Sequence, residues 1–118
     1  MVLTIAKTFD FDAAHWLPEV PEGHKCRRMH GHTYRVEIAV RSHVRKDGMV
    51  LDYADIEAAW GPLHALLDHR LLNEIPGLEN PTTENLACYL GSVLRQKPIF
   101  LYTVTVFESA TSWCKWST

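Results

Sequence analysis

Residues 33–41, TYRVEIAVR, alternate between polar and apolar side chains, with the small residue Ala39 as the one exception. Successive side chains of a strand point to opposite faces, so this spacing predicts a strand with one apolar and one polar face. We expect the apolar face to lie against a core and the polar face to remain open.

Further strands are predicted on both sides of this segment. Upstream, the odd positions from Leu3 to Phe11 are apolar except for Lys7, and His15 continues the same parity. Downstream, residues 99–108 are rich in β-branched and aromatic side chains, and the tail at 113–116 predicts a last strand.

Two amphipathic helices are predicted between these strands. Asp52 is a candidate N-cap, and Pro62 is expected to kink or divide the helix that follows it. The apolar stripe of this helix is Tyr53, Ile56, Trp60, Leu63 and Leu67. A second helix is predicted to begin at 81–84 and to bury Leu86, Tyr89 or Leu90, Val93 and Leu94. The order predicts a single α+β domain over residues 1–118, with both helices on one face of an antiparallel sheet.

Composition excludes several classes of function. The formal net charge is -2, so there is no sequence-wide basic field, which argues against nucleic-acid binding. No apolar run approaches the roughly 20 residues that span a bilayer, which argues against a membrane role. Three cysteines and no signal-peptide pattern predict a reducing, cytoplasmic location. A chain of 118 residues has little room for a deep pocket, so an active site between subunits is expected.

The sequence His30-Gly31-His32 is the strongest local indication of a metal site. Residues two apart on a strand share a face, so both imidazoles point the same way, and His15 is the natural third ligand if the two strands form a hairpin. Three neutral histidines with one open position are typical of catalytic zinc. The alternative is a polar strand face, with His15 as a hydrogen-bonded, partly buried histidine.

Cys26 lies within the basic cluster at 24–28, and nearby positive charge favours the thiolate. It is therefore a candidate base or nucleophile. We expect Cys88 and Cys114 to be buried and inert.

Two acidic positions have both a chemical and a structural interpretation. Asp68 beside His69 could orient a proton shuttle, but on sequence alone a solvated helix end is favoured. Glu108 could accept two adjacent N–H donors from a ligand, but without further context a strand end turning into water is favoured.

Taken together, five ordered motifs resemble the 6-pyruvoyl/6-carboxy-tetrahydropterin synthases across nearly the whole chain. They are Phe11-Asp12-Ala13-Ala14-His15, Cys26-x3-His30-Gly31-His32, Leu67-Asp68-His69, Asn80-Pro81-Thr82-x-Glu84 and Glu108. The resemblance implies the tunnelling fold, a ββααββ subunit whose sheets close a barrel in a homotrimer that pairs into a homohexamer, with active sites between subunits.

The same resemblance implies roles for individual residues. Zinc would be held by His15, His30 and His32, protons would be moved by Cys26, Asp68 and His69, and the pterin would be anchored by Glu108, with help from Thr82 or Thr83. Lys25, Arg27 and Arg28 are candidates for binding triphosphate. The family often has Arg directly after the first zinc ligand, where this chain has Trp16.

The implied substrate is 7,8-dihydroneopterin triphosphate. The leading hypothesis is a zinc-dependent lyase forming 6-carboxy-5,6,7,8-tetrahydropterin, acetaldehyde and triphosphate in queuosine (7-deazaguanine) biosynthesis. The alternatives are the pyruvoyl-forming synthase of the biopterin pathway and a zinc- and pterin-binding module without turnover. The retention of Cys26, Asp68, His69 and Glu108 together argues against the module.

Overall fold

A long antiparallel hairpin forms the centre of the computed structural model, which describes all residues from 1 to 118. Strand β1 (Val2–His15) pairs with β2 (His30–His43) along its full length. Both strands extend further than the alternation of residues 3–11 and 33–41 indicated, because hydrogen bonding to a partner, and not side-chain period, sets where a strand ends.

Three shorter strands complete the sheet. β4 (Leu101–Phe107) pairs with β2, and β5 (Trp113–Ser117) pairs with β4, both antiparallel. The sequence did not predict β3 (Arg70–Leu71), which pairs in parallel with β1 at Ala13 and Ala14, so that the strand order is β3-β1-β2-β4-β5. Two residues are too few to show a periodic pattern.

The two predicted helices are present, and the first has the predicted N-cap. Helix α1 (Tyr53–Leu67) begins after Asp52, whose carboxylate accepts from the N–H of Ala54. Helix α2 (Thr83–Leu94) begins after Thr82, whose hydroxyl accepts from the N–H of Asn85. Each cap satisfies a backbone donor that has no partner inside its helix.

The first helix differs from expectation at two positions. Pro62 was expected to kink or divide the helix, and it does not divide α1, which is continuous through it. Tyr53, which was expected in the apolar stripe, is exposed, whereas Ala59 is buried. In α2, Leu90 is fully buried while Tyr89 and Val93 are only partly so.

Both helices cover the same face of the sheet, as predicted. The fully buried side chains there include Phe11, Tyr34, Ile38, Leu67 and Leu86. The opposite face carries polar residues such as Asp10, Thr33 and Arg35, and no helix covers it. This is an α+β fold with helices on one side of a mostly antiparallel sheet. No helix has both the length and the apolar character needed to cross a membrane.

Both long edges of the sheet remain unpaired within one chain. Residues 2–12 of β1 have a partner strand on one side only, and β5 has none beyond it. Such edges carry rows of free backbone donors and acceptors that can pair with another chain.

Candidate metal centre and catalytic groups

Three histidines converge at the loop end of the hairpin. The register places His15 opposite His30 and Ala13 opposite His32, so all three imidazoles project from the helix-covered face. Their ligand atoms all lie within 4.8 Å of one another. His15 is buried, whereas His30 and His32 are partly exposed and leave an approach from solvent.

Backbone carbonyls determine the tautomers of two of these rings. Nδ1 of His15 lies 2.9 Å from the carbonyl of Pro81, and Nδ1 of His30 lies 2.7 Å from the carbonyl of Arg28. A carbonyl only accepts, so each Nδ1 carries the proton and each neutral ring presents a bare Nε2. The two Nε2 atoms are 2.9 Å apart.

The cluster fits a metal ion better than it fits a hydrogen-bonded network. Two bare nitrogens facing each other repel unless a cation lies between them, and Nε2 of His32 is buried with no hydrogen-bond partner. Its nearest charged neighbour is Oε1 of Glu108, at 3.5 Å. A metal bound by the three Nε2 atoms would resolve both defects, which is evidence against a merely polar strand face.

Electrostatics keeps the cluster in the form that binds metals. Burial lowers the pKa of His15, because it disfavours the charged imidazolium. The hydrogen bond to Pro81 raises this pKa, whereas the neighbouring imidazoles of His30 and His32 lower it. Burial also lowers the pKa of His32, in part offset by Glu108. Neutral imidazole is the ligand form, so both shifts favour metal binding.

Cys26 lies in a cavity next to this cluster. The cavity measures about 350 Å³ and is lined by Lys25, Cys26, Arg28, His30, His32 and Glu108. Cys26 belongs to the short 3₁₀ turn Lys25–Arg27 and is partly exposed as a free thiol. The cavity thus brings together a thiol, two imidazoles, two cations and one carboxylate.

Glu108 points into this cavity and not into bulk water, so the strand-end interpretation was wrong. Its Oε2 accepts from the hydroxyl of Thr83, 2.9 Å away, which leaves Oε1 near His32. Thr83 thus contacts Glu108, whereas the hydroxyl of Thr82 is engaged in capping α2.

Arg27 is not brought to the cavity that Lys25 and Arg28 line. Its Nη1 donates to the carbonyls of Pro18 and Val20, at 2.9 and 2.8 Å, and so holds the loop between β1 and β2. These two hydrogen bonds engage Nη1 of Arg27, so we expect Arg28 rather than Arg27 to contact phosphate.

His69, but not Asp68, lines a different cavity of about 600 Å³ at the β3 edge. This second cavity shares only His32 with the cavity of Cys26. Oδ1 of Asp68 accepts from the N–H of Asp12, and Oδ2 lies 2.8 Å from Nδ1 of His69. The His69 side chain is 77% exposed, so within one chain this pair faces outward and not toward the thiol.

The other two cysteines differ in exposure. Cys88 is exposed on α2, contrary to expectation, because its position on the helix lies outside the stripe that faces the sheet. Cys114 is partly buried, and desolvation raises the pKa of its thiol.

Sequence reasoning missed three groups around the histidines. The hydroxyl of Tyr34 lies 3.3 Å from Nδ1 of His15, and burial raises the pKa of Tyr34 so that it stays protonated. Tyr34 lies on the same face of its strand as His30 and His32, so the sequence could have predicted that it lies near them. The carbonyl of Pro81 and the side chain of Asn73, which bonds the backbone next to His15, had no signal in a single sequence.

Comparison with known proteins identifies the family. The family model described as 6-pyruvoyl tetrahydropterin synthase matches residues 4–118. A Synechocystis 6-carboxy-5,6,7,8-tetrahydropterin synthase is 42% identical over 115 residues, covering 92% of this chain and 88% of that protein. A Drosophila melanogaster 6-pyruvoyl tetrahydrobiopterin synthase is 39% identical over 95 residues, covering 72% of this chain and 56% of that protein.

A solved structure agrees with the fold as a whole. The 6-pyruvoyl tetrahydropterin synthase of Caenorhabditis elegans superposes with a TM-score of 0.91 at 26% identity, covering 100% of this chain and 96% of that one. The α+β architecture with two helices on one sheet is therefore that of a known fold, and the resemblance inferred from the motifs is confirmed. This chain belongs to the 6-pyruvoyl tetrahydropterin synthase family.

Proposed function

We propose that this chain is a zinc-dependent lyase that converts 7,8-dihydroneopterin triphosphate to 6-carboxy-5,6,7,8-tetrahydropterin, acetaldehyde and triphosphate in queuosine biosynthesis. The observation that carries the proposal is the convergence of three histidine ring nitrogens beside a cavity that also contains a free thiol and a carboxylate. The three histidines already supply the ligands of a catalytic zinc, so the thiol beside them is available for proton transfer.

His15, His30 and His32 would hold the zinc ion, and His30 and His32 also line the cavity of Cys26. When bound, zinc polarises hydroxyl oxygens on the substrate side chain and acidifies the adjacent positions. Cys26, which lines the same cavity, is the chain's own group for accepting a proton there.

Glu108 would orient the pterin ring. Thr83 fixes one carboxylate oxygen, so the group has a defined direction before substrate arrives. A carboxylate matches the adjacent amino and ring N–H groups of a pterin, and charge-assisted hydrogen bonds of this kind are among the stronger ones. Lys25 and Arg28 line the same cavity and are our candidates for the triphosphate.

Asp68 and His69 would act on the substrate of a neighbouring subunit. Within one chain His69 lines a cavity that Cys26 does not line, and Asp68 is hydrogen-bonded to His69, while both sheet edges are free to pair with other chains. A homotrimer or homohexamer in which His69 of one subunit approaches Cys26 of the next would complete the proton-transfer set.

The choice of product rests on the relatives. Three residues separate Cys26 from His30, as in the carboxy-forming bacterial branch, and the Synechocystis relative matches over more of both chains than the Drosophila one. The pyruvoyl-forming synthase is the second candidate, supported by the fold shared with the nematode enzyme. The three free cysteines support a reducing, cytoplasmic location.

The deciding experiment is product identification. Zinc-loaded protein is incubated with 7,8-dihydroneopterin triphosphate, and the products are identified by mass spectrometry. We expect the 6-carboxy product and acetaldehyde. A dominant pyruvoyl product would assign the chain to the second candidate, and bound zinc without substrate consumption would make it a binding module. Cys26→Ala, which we expect to retain zinc and lose turnover, is the matched control.

A further inference from the structure

The side chain of Asn73 bonds the backbone immediately after the metal ligand His15. Its Oδ1 accepts from the N–H of Trp16 at 3.0 Å, and its Nδ2 donates to the carbonyl of Trp16 at 2.7 Å. The same Nδ2 lies 3.4 Å from the carbonyl of Glu79. The amide orientation follows from the partners, since the oxygen faces a donor and the nitrogen faces two acceptors.

The side chain of Asn73 takes the place of a β-strand partner at Trp16. The pairing of β1 with β2 ends at His15 and His30, and Trp16 has no backbone hydrogen-bond partner. Asn73 satisfies both backbone groups of Trp16 and so fixes the direction of the chain as it leaves the metal ligand.

Asn73 also connects the backbone of Trp16, next to His15, with the segment that contains Glu79 and Pro81. Glu79 lies two residues before Pro81, whose carbonyl accepts from Nδ1 of His15. Through Trp16 and Glu79, one amide joins the backbone of His15 to the segment that sets its tautomer. Losing the amide would let these two segments move apart and weaken the bond that directs Nε2 toward the other histidines.

We propose that Asn73 is a positioning residue for the metal centre, acting through Trp16 and Glu79 to hold His15 in the geometry that His30 and His32 require. The proposal rests on metal binding at the three histidines, as proposed above. When a residue that hydrogen-bonds and orients a metal ligand is removed, metal affinity typically falls by roughly 10- to 100-fold.

The test measures metal binding and not turnover. Zinc dissociation constants are determined by chelator competition for the wild-type chain, Asn73→Ala and Asn73→Asp, and the cobalt(II) absorption spectrum of each is recorded. Asn73→Asp keeps the size of the side chain and the acceptor for Trp16 but removes both donors. We expect both variants to bind zinc roughly 10- to 100-fold more weakly, with altered cobalt bands, because His15 is misplaced.

Asn85→Ala is the matched control. Asn85 donates to the carbonyl of Asn80 at 2.8 Å, so it supports the same segment without reaching β1. We expect its zinc affinity and cobalt spectrum to match the wild type. An equal loss in Asn85→Ala, or wild-type affinity and spectrum in the Asn73 variants, would overturn the positioning role alone. A wild-type chain that binds neither metal would overturn the proposed function and this inference with it.

Discussion

The contact between the imidazole of His69 and the carboxylate of Asp68 raises the pKa of His69. Their hydrogen bond raises the pKa of His69, and the charge of Asp68 raises it further. Because the folded-state pKa is raised, the pair stabilises the folded chain below the ordinary imidazole pKa. That contribution is lost as the pH rises through the folded-state value.

Asp68→Asn should therefore lower the pKa of His69 toward its ordinary value. The measurement is an NMR titration of the His69 ring protons against pH. Asp47→Asn is the control, because Asp47 pairs with Arg45 and touches no histidine. A pKa of His69 that did not fall in Asp68→Asn would show that another group controls it.

The two adjacent arginines should differ in their effect on anion binding. Arg28 lines the cavity of Cys26, whereas Arg27 is engaged with the carbonyls of Pro18 and Val20. We expect Arg28→Ala to weaken inhibition by inorganic triphosphate about ten-fold or more, since a charged hydrogen bond is lost. Arg27→Ala should leave that inhibition constant near the wild-type value. If Arg27→Ala weakened the inhibition more than Arg28→Ala did, Arg27 would be the residue that contacts phosphate.

At the scale of elements, the packing of α2 on the sheet determines where the substrate-binding groups lie. Thr83 at the start of α2 bonds Glu108, which follows β4. Further along, Gly91 packs so closely against the indole of Trp116 on β5 that an added methyl group would overlap the ring. The helix approaches the sheet this closely only because position 91 has no side chain.

Gly91→Ala and Gly61→Ala should change stability in opposite directions. We expect Gly91→Ala to lower the free energy of unfolding by about 1–3 kcal/mol, as overpacking of a core does. Gly61 is exposed on α1 with open space around it, so alanine there should raise that free energy by about 0.5–1 kcal/mol through helix propensity. Urea unfolding of both variants is the measurement, and a stabilised Gly91→Ala would contradict the close packing.

At the scale of the whole molecule, the open sheet edges and the two separate cavities point to sites shared between subunits. In one chain Cys26 lines one cavity with His30 and His32, whereas His69 lines another. Light scattering should therefore give a trimer or hexamer of the 13.5 kDa chain, and a monomer under active conditions would contradict the shared site.

Mixing two inactive variants tests the shared site directly. Cys26→Ala and His69→Ala should each be inactive alone. If each site combines Cys26 from one subunit with His69 from another, random mixed oligomers should recover up to about a quarter of wild-type activity. Mixtures that stay inactive, with subunit exchange verified by mass spectrometry, would place both residues of a site in one chain.

The sequence alone was sufficient for both helices, for the longer strands and for the three histidines that converge. Alternation along 33–41 predicted the central strand, Asp52 and the segment 81–84 marked the starts of the two helices, and the shared parity of His30 and His32 predicted convergent imidazoles. These features depend on local spacing and backbone geometry, which a single sequence carries directly.

Only the tertiary structure decided how those groups are oriented and which of them meet. The tautomer of His15 depends on the carbonyl of Pro81, 66 positions away, and the backbone after His15 depends on Asn73. Arg27 does not line the cavity of Cys26, and its Nη1 donates to the backbone carbonyls of Pro18 and Val20, groups that every residue type has. Such contacts join backbone groups common to all residues across long separations, so their partners are chosen by packing and leave no pattern in the sequence.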